Sequence, residues 1–303
     1  MKRMRKWLGN LWDNLFAFDE PDTRGQRMFR RAFEAFIGAA TIWLAFYWGE
    51  YTLRISDIVL ELGLASWIDI SFMHGNQLPI WNAWLITAGV VLGFARAEKF
   101  LPGGRWVYLV TWVLLLFQYA ARFTLGEIPH SANLVGMGLL GFGLAMVLFR
   151  DATERGRFAL GFSYFFIGLG YTSAAVSKLV ARGLTWPDGR HLWMWINEKA
   201  MDEVARNGTV ELNALQQLAM EYWWVATAFL AFGLLTEAFA WLIWFRKTRF
   251  LTLWAVMGLH LGIWMVMDIL FKLSVYEILI LGLPWAFWID RLFPEGRTPG
   301  QDG

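Results

Sequence analysis

The chain has 303 residues, 57% apolar, 17% aromatic and 17% charged, with a formal net charge of +2. Its mean hydropathy of +0.41, beside the roughly one-quarter charged content of soluble chains, excludes an ordinary soluble domain. It predicts an all-α, polytopic transmembrane bundle. There is no cysteine, which excludes disulfides, thiolate catalysis and Cys-held metal, and no basic stripe with a nucleic-acid motif is present.

In chain order, Met4, Trp7, Leu8, Leu11, Trp12, Leu15 and Phe16 recur at helical spacing beside Lys2, Arg3, Arg5 and Lys6. Residues 1–22 therefore read as an amphipathic helix, lying on the inner leaflet or packed on the cytoplasmic end of the bundle, and not as a cleavable signal. Asp19-Glu20-Pro21-Asp22 should break it. Crossing about 30 Å of hydrocarbon takes roughly 20 residues. About eight runs approach that length: Ala32–Trp48, Leu78–Ala95, Trp106–Phe123, Leu134–Phe149, Phe158–Val180, Tyr222–Trp244, Phe250–Met267 and Leu273–Trp288. Alternate connections are basic, carrying Arg96, Lys99 and Arg105, then Arg150, Arg155 and Arg157, then Arg246, Lys247 and Arg249. Lys/Arg-rich loops stay cytoplasmic, so both termini are expected inside, which requires an even number of spans.

The outer loop 181–221 is acidic on balance, and Leu192, Trp193, Ile196, Ala200 and Val204 mark an apolar face along a helix from His191 to Arg206. Leu212, Leu215 and Leu218 continue the pattern. This helix pair is expected to be either a lid or a plain interfacial anchor. Residues 23–293 form the membrane domain, and 294–303 read as a disordered tail.

The chemistry concentrates on Lys178, in the last turn of a membrane-length apolar stretch. An ammonium at that depth is expensive unless paired, hydrated or neutral, so it marks a functional site unless it snorkels to the headgroups. Glu237 and His260 lie deep in the sixth and seventh runs, and a 1.5 Å rise per residue gives them compatible depths. They are expected to form a buried polar pair, either a stabilising hydrogen bond or part of a proton path. Asp268 is a candidate to orient the site or to pair with Lys272 at i+4. The four histidines and the carboxylates show no metal-ligand spacing, so neither metal nor haem is expected.

Tyr164-Phe165-Phe166-Ile167-Gly168 leads to Ser177-Lys178-Leu179, and Trp186-Pro187-Asp188-Gly189 follows. A helix ending in Lys-Leu before Trp-x-x-Gly resembles the membrane domain of the vitamin K-dependent gamma-carboxylases. It also resembles their shorter bacterial relatives, the HTTM (horizontally transferred transmembrane domain) proteins. Pro129-His130-Ser131-Ala132-Asn133-Leu134 adds to the resemblance, although Pro129 stands where the family often has asparagine. The resemblance implies a bacterial inner-membrane protein that binds a reduced quinone of the vitamin K or menaquinone type. Lys178 would then be the base and His130 a hydrogen-bond donor, in quinol oxygenation or epoxidation. Carboxylation of an unknown substrate, the lyase activity of the larger family members, is the less expected part. Tyr171, Trp186, Gly189, His191 and Asp268 would line or flank the quinone pocket. A non-catalytic lipid- or quinone-binding protein and a small transporter are the alternative functions. The bilayer and the quinone are the expected partners, and the protein substrate or partner is unknown.

Overall fold

The structure is a computed structural model that describes residues 2–18, 20–54, 66–125 and 132–294. All the regular elements among them are helical: α1 (Lys2–Phe16), α2 (Arg24–Arg54), α3 (Leu78–Phe94), α4 (Val107–Phe123), α5 (Ala132–Leu148) and α6 (Ala152–Arg182), then α7 (Gly189–Asn207), α8 (Ala214–Glu221), α9 (Trp223–Ala238), α10 (Arg246–Met267), α11 (Lys272–Gly282) and α12 (Trp285–Leu292). Among the described residues, four helices are long and apolar enough to cross a membrane. Taking the pairs α8–α9 and α11–α12 each as one bent span raises the number to six. The apolar helices α3 and α5 are shorter, at 17 residues each. Every expected apolar run thus coincides with helix, but the sixth and eighth are interrupted. Phe239 ends α9 ahead of a 3-10 segment, Ala240–Trp244. Pro284 divides the last run, because proline offers no N–H and drives the preceding Leu283 to extended backbone (φ −108°, ψ 145°).

The chain forms two compact units, Met1–Ser163 with Pro284–Gly303, and Tyr164–Leu283. In the first, the amphipathic α1 ends against the start of α6. Leu15 and Phe16 are buried, and the Phe16 ring stacks on Phe158 at 5.1 Å. Its final turn is therefore packed, while Trp12 remains exposed. Helix α12 lies against the start of α2, where Gly25 leaves room for the Ala286 carbonyl and donates its N–H to Asp290 Oδ1 at 2.6 Å.

Buried polar side chains lock this apolar bundle. Gln118 of α4 is fully buried and donates from Nε2 to the carbonyls of Ala45 (3.0 Å) and Pro79 (3.1 Å), while its Oε1 accepts from Asn82 Nδ2 at 2.8 Å. One side chain thereby ties α2, α3 and α4 together. At the end where the connections are basic, Glu34 accepts both arms of the Arg96 guanidinium (2.5 and 2.9 Å) and the Tyr108 hydroxyl (2.9 Å).

In the second unit, α7 and α8 pack on α9 and α10 around Leu192, Ile196, Ala219, Ala226, Leu230 and Val266. The chain turns by 111° between α8 and α9 at Tyr222, a single extended residue.

Replacing Gln118 with Leu is expected to lower stability by about 1–3 kcal/mol, because Asn82 and two carbonyls lose a buried partner. A thermal melt in detergent that matches wild type would contradict this. Asp22, between α1 and α2, is partly buried, which pushes its carboxyl up, but the Arg30 hydrogen bond and charge, with Thr153 and Arg27, outweigh burial and hold it below its ordinary value. Its stabilising contribution is therefore complete above the ordinary carboxylate value and lost as pH falls through the lower folded one. Asp22→Asn should flatten the acid limb of a melting-temperature profile below about pH 4 and leave the neutral limb unchanged in slope.

Candidate functional site

Lys178 lies one turn before the end of α6 and Glu237 lies in the last turn of α9. Side chains of an α-helix lean toward its N-terminus, so Lys178 leans back along α6, away from the helix end. Its Nζ donates to both Glu237 oxygens at 2.5 Å. Glu237 is buried, and at a helix C-terminus a carboxylate meets the negative end of the macrodipole. The ammonium compensates both costs. The face of Trp186 covers Lys178 Nζ, with 4.7 Å to the ring centroid, adding a cation–π contact.

The Trp-x-x-Gly segment explains how that indole is held. Asp188 caps α7 by accepting from Arg190 N at 3.0 Å. Gly189 donates its N–H to Thr227 Oγ1 at 3.0 Å, and a Cβ there would stand 2.3 Å from the Trp223 carbonyl. Only a glycine lets α7 approach α9 this closely. His191 Nδ1 donates to the Trp186 carbonyl at 2.9 Å, which fixes the backbone of the covering tryptophan and sets the tautomer.

Lys178, Trp186 and Glu237 form part of the wall of a cavity of about 430 Å³. Its sides come from Phe229, Phe232 and Gly233 of α9 and from Leu259 and Ile263 of α10. Leu192 and Trp195 of α7 and Leu215 of α8 also line it, so the outer-loop helices take part in enclosing it. Among the described lining residues Lys178 and Glu237 are the only charged ones. Such a space fits an apolar ligand of drug-like size with one polar end.

Next to the cavity, α9 stops and the exposed backbone groups find partners. Trp241 N donates to Thr172 Oγ1 at 3.1 Å, and Trp244 Nε1 donates to the Phe165 carbonyl at 3.1 Å. Thr248 Oγ1 and Arg249 Nε serve the carbonyls of Leu242 (2.6 Å) and Ile243 (3.0 Å). Irregular backbone at membrane depth is tolerated only when it is satisfied in this way.

The expected contact of Glu237 with His260 gives way to two others. Glu237 is taken by Lys178, while His260 Nε2 hydrogen-bonds the Tyr171 hydroxyl. The reason is reach: Lys178 leans along its helix to the level of Glu237, and Tyr171, about two turns earlier on α6, meets His260. Tyr171 does not line the cavity; with His260 it sits behind Phe271, whose ring meets the His260 ring at 5.4 Å and which does line it. Asp268 closes α10 in the left-handed conformation (φ 54°) and borders a different, open groove with Lys199 and Arg206. It therefore orients neither Lys178 nor the cavity, and it makes no ion pair with Lys272 among the described residues. Gly189 and His191 act through Trp186 and α9 and are not lining residues. His130 lies outside the described residues. Among the described residues no group of three or more His, Asp or Glu is placed to hold a metal.

The residues that sequence reasoning missed are the apolar walls of α9 and α10 and Glu237 as the partner of Lys178. Charge complementarity between the lysine of the fifth run and the single carboxylate of the sixth was the available signal.

The several long apolar helices fit a multi-pass integral membrane protein. No family model, curated protein or solved structure matches the chain.

Removing one member of the pair should cost about 3 kcal/mol by leaving the other charge uncompensated, whereas removing both should restore most of it. Chemical unfolding of Lys178→Met, Glu237→Gln and the double variant would measure the coupling, and purely additive losses would contradict it.

Proposed function

We propose that this protein binds a reduced quinone in the cavity and uses Lys178, with Glu237, to remove a phenolic proton so that the ring reacts with oxygen. The observation that carries the reading is one polar pair set in an otherwise apolar cavity of quinone size. The Lys-Leu and Trp-x-x-Gly segments, which resemble those of the vitamin K-dependent carboxylases and HTTM proteins, contribute two features of that wall, the ammonium and the indole over it.

In this reading a proton passes from Nζ to the carboxylate before the ligand reacts. With it on Glu237, the free amine of Lys178 accepts the phenolic proton, and the new ammonium lies beside the quinolate oxygen. Trp186 stacks against the ligand ring and excludes water, which strengthens that interaction. In the complete reaction one atom of O₂ enters the epoxide and the other leaves as water, so the quinol supplies all four electrons, two from its hydroxyl groups and two from the ring double bond. The topology that accompanies this reading has eight spans, with α3 and α5 as short ones and both termini on the cytoplasmic face of a bacterial inner membrane. The basic alternate connections support it.

A second reading, a quinone- or lipid-binding protein without turnover, is favoured by the pair itself, since Lys178 and Glu237 satisfy each other without a ligand. Purified protein supplied with reduced menaquinone or vitamin K and oxygen separates the two, with product followed by mass spectrometry. Epoxide formation by wild type, reduced at least about 100-fold in Lys178→Ala, is expected of a general base. Bound quinone without product from either protein would leave only the binding function.

A further inference from the structure

A second cavity, of about 190 Å³, lies within the first unit, at the end where the connecting loops are basic, and five arginines line it: Arg27, Arg30, Arg31, Arg96 and Arg155. Among the described residues three carboxylates face them. Asp22 takes Arg30 and Arg27, Glu34 takes Arg31 and Arg96, and Glu98 takes Arg155. Among the described residues, guanidinium groups thus outnumber carboxylates around one small space.

The cluster is built into the fold. Arg30 is 8% exposed although it carries a full charge. Gly156 makes room for its stem, since a Cβ at that position would stand 2.5 Å from Arg30 Cδ. Arg96 adopts the left-handed backbone conformation (φ 67°) that residues with a side chain rarely use, and from it grips Glu34 with both arms. Arg31 stacks on the Phe94 ring at 3.8 Å and donates to the Phe94 carbonyl at 3.1 Å. The carboxylates therefore aim and hold the guanidinium groups. The remaining lining includes Tyr108, Thr153 and an apolar floor of Phe142, Ala145 and Met146 on α5.

We propose that this cavity is a binding site for a phosphate group, carried by an anionic phospholipid headgroup or by a soluble phosphate compound. Guanidinium forks match phosphate oxygens in pairs, and five of them converge on this one cavity. The apolar floor suits the glycerol or carbon skeleton next to the phosphate. The site is independent of the quinone reading, because none of its residues belongs to the Lys178 cavity.

The test uses the whole purified protein in detergent, titrated with phosphatidylglycerol and with phosphatidylcholine and followed by native mass spectrometry, with inorganic phosphate as competitor. The variant is Arg27→Gln/Arg31→Gln, which removes the two of the five arginines with the most exposed side chains, at 48% and 44%. It keeps the Arg30–Asp22, Arg96–Glu34 and Arg155–Glu98 pairs that tie the helices. Phosphatidylglycerol should bind wild type about tenfold more tightly than phosphatidylcholine, and the variant should lose most of that preference without loss of helix content. Displacement of phosphatidylglycerol by inorganic phosphate would show that the phosphate alone suffices, so that soluble phosphates are ligands. Selectivity without displacement would assign the site to the lipid headgroup. Equal binding of the two lipids by wild type, with no phosphate binding, would overturn the proposal, and this comparison needs no variant. A folded variant that keeps full selectivity would also overturn it.

Discussion

The pairing of Lys178 with Glu237 is the constraint around which the second unit is organised. Each charge alone would be costly in an apolar wall, and together they are affordable only if both reach the same point. Meeting there requires Lys178 to lean back from the end of α6 and α9 to present its last turn. It also requires a lid residue, Trp186, to cover the ammonium. The close approach of α7 to α9 through Gly189, and the fixing of Trp186 by His191, follow from that requirement.

The termination of α9 directly after Glu237 belongs to the same arrangement. A continuous helix would bury its backbone groups without help. The break instead borrows Thr172 and Phe165 from α6, and Thr248 and Arg249 from α10. These bonds link the helices that carry Lys178, Glu237 and His260, so the wall of the cavity is held by more than apolar packing. The Tyr171–His260 contact behind Phe271 adds another tie between α6 and α10.

Much of this was legible in the sequence, and the failures have physical causes. Apolar runs placed α2–α6, α9 and α10, and amphipathic spacing placed α1, α7 and α8, while the last run merged α11 with α12. Lys178 stood out because a charge is conspicuous in an apolar run, and Trp186 only through the Trp-x-x-Gly segment of the family resemblance. Glu237 was assigned the wrong partner because depth was counted along helix axes, and a lysine side chain reaches several ångströms off its own axis. Asp268 seemed close to the site in sequence, yet the left-handed turn at its own backbone directs it to another groove, while Met267 and Ile269 on either side line the cavity. Pro284 did mark the interruption of the last run, but a tally of apolar residues hides a single missing N–H. The apolar walls of α9 and α10 carried no signal, since Phe229, Phe232, Leu259 and Ile263 look like any lipid-facing or core residues until the fold brings them around one space.

The most direct measurement of the central claim is photoaffinity labelling of the purified protein with an azido-quinone, followed by peptide mapping. Competition by unlabelled quinone would define the specific label. Binding beside the Lys178–Glu237 pair predicts competed label on peptides containing Trp186, Phe229–Gly233 or Gly258–Met267. Competed label confined to the first unit, or none that unlabelled quinone removes, would contradict it.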